Sequence, residues 1–206
     1  GRIGQGTAVE QSRAVAEAAI AYRMAREYPR SMPRAFAQMR ESCTTLALAD
    51  VAYYRYSRGG KPVTGLTIHA ARELARCCGN IRYSVIELRR DDGYGQSEMM
   101  ARAVDMETGT EATTTWIVVH SRTKNDENGQ KTHNKLTDPR DIYEMNANEG
   151  SRRVRQMILA VMPPHFVSAA EKLLQETLKN GGGNNKSFDE RCADAVKAVG
   201  CICPRL

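Results

Sequence analysis

The stretch 42–85, SCTTLALADVAYYRYSRGGKPVTGLTIHAARELARCCGNIRYSV, constrains this chain most, because each part of it carries its own start or stop signal. Tyr53, Tyr54 and Tyr56 run into Gly59-Gly60 and then into Lys61-Pro62-Val63. Two glycines between β-prone runs predict a hairpin over 52–64, and Pro62, which has no N–H to donate, places the second strand at an edge. Thr67 then offers a capping oxygen to a helix whose inner face is Ile68, Ala71, Leu74, Ala75 and Cys78, and Gly79 closes it. His69, Arg72 and Arg76 form a separate stripe on that helix.

The flanking segments complete an α+β pattern. Residues 8–28 are alanine-rich, with Val15, Ala18, Ala19, Tyr22 and Ala25 on one recurring face, and Pro29 stops this helix. Pro33 suits the first turn of a second helix that aligns Phe36, Met39, Cys43 and Leu46. Three strands are expected at 81–90, 96–105 and 111–120. Asp91-Asp92-Gly93 and Glu107-Thr108-Gly109 connect them so tightly that they must be antiparallel neighbours. Residues 121–136 contain no apolar side chain before Leu136, which predicts a long exposed loop. Thr137 or Asp138 opens a helix running to Val161, with Ala147, Gly150, Val154, Met157, Ile158 and Val161 on its inner face. Arg152 lies opposite that stripe, and Arg153 and Arg155 flank it.

The expected architecture is an antiparallel hairpin and a three-stranded meander packed with a long helix and flanked by N- and C-terminal helices. One core over 1–180 is divided into helices at 8–49, hairpin, helix and meander at 50–120, the loop at 121–136 and helices at 137–180, including one at 168–179. A glycine-rich linker, 181–186, leads to residues 187–206. There a helix over 187–199 bearing Phe188, Cys192, Ala195, Val196 and Val199 reads as the start of a small second domain or a partner-binding element.

The net charge is +6, but it is unevenly spread: Lys and Arg outnumber Asp and Glu by 12 to 6 over 1–78 and by 14 to 11 from residue 121, while 79–120 has 4 against 7. A polyanion would therefore meet the flanking elements rather than the middle. No apolar run is long enough to span a bilayer and no secretory signal core is present, so the expected compartment is the cytoplasm, with no membrane partner. The chain begins without Met and reads as cut from something longer. Six cysteines include no CxxC pair, and Cys201-x-Cys203 stands alone in the tail, so neither zinc nor a disulfide framework is expected. GRIGQGT lacks the Lys-Ser/Thr ending of a phosphate loop. Glu87, Asp91, Asp92 and Glu98 gather near one turn and keep a metal-dependent nuclease open, although no lysine or histidine stands beside them to activate water. A structural oligomer with basic faces is a third reading. No cofactor is called for.

The basic and aromatic residues lie where a nucleic acid could use them. Arg55, Arg58 and Lys61 surround the hairpin turn, Tyr54 and Tyr56 offer stacking faces, Arg72 and Arg76 lie on the following helix, and Arg152, Arg153 and Arg155 cluster on the long one. Lys124, Lys131, His133 and Lys135 occupy the expected loop.

In this order of elements, CTTLALADVAYYRYSRGGKPVTGLTIHAARELARCCGNIRYSVIEL at 43–88, the strands after it and NANEGSRRVRQMILAVMP at 146–163, the chain resembles the phage single-strand annealing proteins. These are the RecT and Red-beta superfamily, with a ββαβββα core shared with eukaryotic annealing mediators. The resemblance covers about residues 36–163 and is one of order rather than of a short signature. It implies ATP-independent binding of single-stranded DNA and its pairing into annealed duplex during recombination, by homo-oligomeric rings or helical filaments. The DNA would run in a basic groove between hairpin and core, and a partner exonuclease or a host single-strand-binding protein would be a further partner. Some relatives carry a Lys-Arg pair late in the long helix where this chain has Met157-Ile158-Leu159, so that pair is not carried over.

Overall fold

A computed structural model describes residues 5–125 and 131–181, and beyond them only positions 190, 193, 196 and 197. Most of the expected linker at 181–186, the helix at 187–199 and Cys201-x-Cys203 lie outside the described residues, as do the side chains of Arg58, Lys124, Lys131 and His133. The chain is an α+β protein. It forms two compact units, each assembled from separated segments: Gly1–Arg30 with Asn80–Val161, and Ser31–Gly79 with the chain from Met162. The single core expected over 1–180 is thus two cores, and the chain passes between them at residues 30, 79 and 161.

The first unit holds helix α1 (Gln5–Glu27), strands β3 (Ile81–Asp91), β4 (Gln96–Asp105), β5 (Glu111–Val119), β6 (Ser121–Asn125) and β7 (Lys131–Lys135), and helix α5 (Pro139–Val161). β3, β4 and β5 form the expected antiparallel meander, with a bulge between Glu87 and Arg89. α5 starts where Asp138 accepts the Arg140 N–H at 2.8 Å, and it packs on one face of the meander. Ile142, Val154, Ile158 and Val161 on the helix and Met99, Ala101, Ala103 and Val118 on the sheet are all buried. Gly150 is needed at this contact: a β-carbon on it would lie 2.7 Å from Val85 Cγ1. Gly150→Leu is expected to lower stability by about 1–3 kcal/mol despite its gain in helix propensity, read as a lower denaturation midpoint with unchanged slope.

Three expectations for this unit need correction. Within the expected loop at 121–136, residues 121–125 and 131–135 are the paired strands β6 and β7, in register from Ser121 with Lys135 to Asn125 with Lys131. Backbone pairing needs no apolar residue within the strands. The base of the hairpin is anchored by His120, whose N–H donates to the Gly95 carbonyl at 2.7 Å and whose carbonyl accepts from buried Leu136 at 2.8 Å. On α5 the buried position is Asn146 rather than Ala147, which is exposed. Asn146 Nδ2 donates to Ser97 Oγ at 3.1 Å and to Glu87 at 3.2 Å, while Ser97 Oγ donates to Glu87 at 2.6 Å and lies 2.7 Å from His120 Nε2. Because the serine proton goes to Glu87, His120 Nε2 donates to Ser97. Burial first, and then Arg90, hold this imidazole below its ordinary pKa. On α1, Val15 and Tyr22 are exposed, and Ala25 with part-buried Ala21 packs on Val104 and Met106 instead.

Asp105 and Glu107 sit at the β4–β5 turn, and Arg30 binds both. Its Nη2 donates to Asp105 and its Nε to Glu107 at 2.9 Å, while Asn80 Nδ2 donates to Glu107 at 2.6 Å. The Arg30 side chain is 9% exposed and that of Asp105 5%, so this is a buried ionic hub.

The second unit contains α2 (Met32–Cys43), α3 (Leu46–Val51), β1 (Tyr53–Arg58), β2 (Lys61–Leu66), α4 (Ile68–Cys78) and α6 (Pro164–Asn180). Its core is built from small residues around a few large ones: Ala35, Met39, Cys43, Ala70, Ala71, Leu74, Cys78, Phe166, Ala170 and Leu174. Thr67 Oγ1 accepts from the Ala70 N–H and Gly79 closes α4, as expected. α6 begins at Pro164, four residues before the expected start. A proline fits a first helical turn, where its missing N–H costs nothing, so Pro163-Pro164 both follows the end of α5 and opens α6. Gly181 ends α6 in the left-handed conformation, with its N–H on the Thr177 carbonyl.

Candidate nucleic-acid interface

The hairpin turns through Gly59 and Gly60, both at positive φ, which matches the right-handed twist of the two strands. Pairing runs from Tyr53 with Leu66 to Arg58 with Lys61. Alternation divides the side chains between two faces. On one face Tyr53 donates its hydroxyl to the Glu171 carbonyl of α6 at 2.8 Å, and burial, followed by Glu171, pushes its pKa up to about 12. Tyr53 is therefore structural. The opposite face carries Tyr54 and Tyr56, whose rings stack with centroids 5.9 Å apart and planes 22° apart. Tyr54 lies over its cross-strand partner Gly65, where a β-carbon would stand 2.5 Å from the tyrosine oxygen. The glycine thus clears the space in which the ring lies flat. Lys61 belongs to the same face by register, and Arg55 to the Tyr53 face. Both cations are exposed, and among the described residues neither has a carboxylate partner.

On α4 the expected stripe separates into two kinds of residue. Arg72 is exposed, with no carboxylate beside it among the described residues. Arg76 is committed to Glu73 by two hydrogen bonds, 2.7 and 3.0 Å long, and also reaches Ser42 Oγ at 3.3 Å. The Arg76 hydrogen bond, opposed by burial and aided by Ser42, pulls the Glu73 carboxyl down to about 2. Arg76 therefore meets a phosphate only in competition with its own partner. Nearby Cys43, Cys77 and Cys78 are buried and not joined by a disulfide, and burial above all pushes the Cys43 thiol up to about 12, far from a reactive thiolate.

Arg152, Arg153 and Arg155 belong to the other unit. Arg152 is exposed and bonded to Glu149 at 2.7 Å. Arg153 is exposed, with its guanidinium 5.9 Å from the ring centroid of Trp116 on β5. Arg155 is half-buried. The Arg153–Trp116 contact joins residues 37 positions apart, and neither residue signals it locally in the sequence.

The acidic turn is occupied by its own partners. Asp91 accepts from Arg89 at 3.2 Å and from the Tyr94 N–H at 3.1 Å, Asp92 from Arg90 at 2.8 Å, and Glu87 from Ser97 and Asn146. Among the described residues no three His, Cys, Asp or Glu side chains converge, and no single helix is long and apolar enough to cross a membrane. No family model, curated protein or solved structure matches the chain.

Proposed function

We propose that this chain binds single-stranded DNA and anneals it to its complement without ATP, as an oligomer acting in recombination. The observation that carries this reading is the hairpin face on which Tyr54 and Tyr56 lie stacked beside Lys61, with Arg55 across the same strands. Aromatic faces accept any base, and exposed cations replace the counterions of any phosphate, so such a surface binds strands without regard to sequence. Arg72 extends the cationic surface within that unit, and the arginines of α5 supply a second basic surface on the other. Annealing needs backbone-held strands whose base edges stay open to a complement, and contacts of this kind leave them open. The nuclease reading has less support, because three of the four carboxylates it would use, Glu87, Asp91 and Asp92, are engaged by Ser97 and Asn146, Arg89 and Arg90.

The test is the rate at which labelled complementary oligonucleotides pair, without ATP or divalent metal. The protein is expected to accelerate pairing and to leave both strands intact. A rate equal to the spontaneous one would overturn the reading, and magnesium-dependent shortening of the strands would replace it with the nuclease.

A further inference from the structure

The three-stranded sheet has two outer strands, and both are available. Among the described residues β3 and β5 pair only with β4, and no other segment offers β5 a backbone hydrogen bond. Sheet edges are normally guarded by charge, proline or a bulge. β3 has such guards in Arg89, Arg90 and the bulge after Glu87, but these cluster at its far end. β5 has none after Glu111: ATTTWIVV contains no charge, proline or glycine, and Ile117 and Val119 are 51% and 56% exposed.

The cross-strand rows show what fits this edge. Arg82, Val104 and Glu111 share one row, Ser84, Arg102 and Thr113 the next, and Ile86, Met100 and Thr115 the third. β3 and β5 are both antiparallel to β4, so they run parallel to each other. Continuing the rows past β5 with the β3 of another copy sets Glu111 beside Arg82, Thr113 beside Ser84 and Thr115 beside Ile86. Glu111 lies 2.8 Å from Arg102 and remains 41% exposed on its side chain. Arg82 is exposed and donates to the Glu17 carbonyl at 3.3 Å, with no carboxylate partner among the described residues. The edges are thus complementary in charge at one end and uncharged along the next rows.

We propose that β5 of one copy pairs in parallel with β3 of a second copy, along Glu111–Trp116 and Arg82–Glu87, with the Glu111 carboxylate bound by the second copy's Arg82. Such a contact uses different surfaces on its two sides, so it leaves each end open and builds rings or filaments rather than dimers. It rests on the sheet edges alone and is independent of DNA binding.

The experiment measures the mass of the full chain by sedimentation without DNA, with circular dichroism reporting on the fold. Wild-type protein is expected to grow beyond a dimer with concentration. Arg82→Glu and Glu111→Arg are each expected to lose the large species. The double variant should recover them, as should an equimolar mixture of the two single variants, because every contact in an alternating chain is then matched. A monomer at all concentrations, a closed dimer, or single variants that assemble like wild type would overturn the proposal. Should either charge reversal unfold the chain, Thr115→Lys at an exposed position of the same ladder serves instead, with loss of the large species expected and their persistence overturning the proposal. Because no arm contains DNA, failure here is distinguishable from failure of the annealing reading.

Discussion

Replacing Tyr54 and Tyr56 together with alanine is expected to weaken binding of single-stranded DNA roughly ten- to a hundredfold for each stacking face lost, since base–aromatic stacking contributes about 1–3 kcal/mol per base. The Tyr54→Phe, Tyr56→Phe variant keeps both faces and should bind like wild type. Salt dependence separates this contribution from that of the cations: the tyrosine variants should keep the wild-type slope of log affinity against log salt. Lys61→Ala with Arg55→Ala should instead flatten it by about one unit for each phosphate contact removed. Titration of a fluorescent oligonucleotide at several salt concentrations reads both effects. Unchanged affinity in the double alanine variant, with the hairpin still folded, would remove this face from the interface.

Arg30→Ala is expected to have the largest effect on stability, a loss of about 3–5 kcal/mol, because it leaves the buried Asp105 carboxylate without its cation. The loss should appear as an earlier midpoint in chemical denaturation. The same hub sets an acid limit. Burial pushes the Glu107 pKa up, but hydrogen bonds from Asn80 and Arg30 outweigh it and hold the carboxyl below its ordinary value of 4.5. A carboxyl lowered on folding stabilises the protein above its unfolded value, and that contribution is lost as pH falls through the folded one. Wild-type stability should therefore decline below about pH 5, and Arg30→Ala should make that decline shallower, because part of what lowers the carboxyl is gone. An equally steep acid limb in the variant would show that Arg30 does not control Glu107.

What could be read from the sequence was local. Gly59-Gly60, the Thr67 and Asp138 caps and the two turns of the meander each announce themselves within a few residues, and the structure places them as read. Of the candidate site, the stacking tyrosines and exposed Arg55, Lys61 and Arg72 follow from that local reading, whereas Arg76 is engaged by Glu73 one helical turn away. The rest depends on contacts between distant residues. Arg30 is 75 positions from Asp105, and Asn146 becomes a core residue only because Glu87 and Ser97 lie beneath it. The β6–β7 hairpin was missed because hydrophobic periodicity detects strands that bury one face, and this pair is tied down by its backbone and by the two residues at its base.

The division of each unit between separated segments governs how the protein emerges from a ribosome. α2, α3, the hairpin and α4 leave the exit tunnel long before α6, which packs on α2 and α3. Until then the faces of α2 and α3 that α6 covers lie open, while the meander and α5 already form a complete sequence of their own. A released chain ending at residue 161 should therefore hold a protease-resistant meander and a cleavable hairpin region, because a cut there leaves the first unit whole and divides the second.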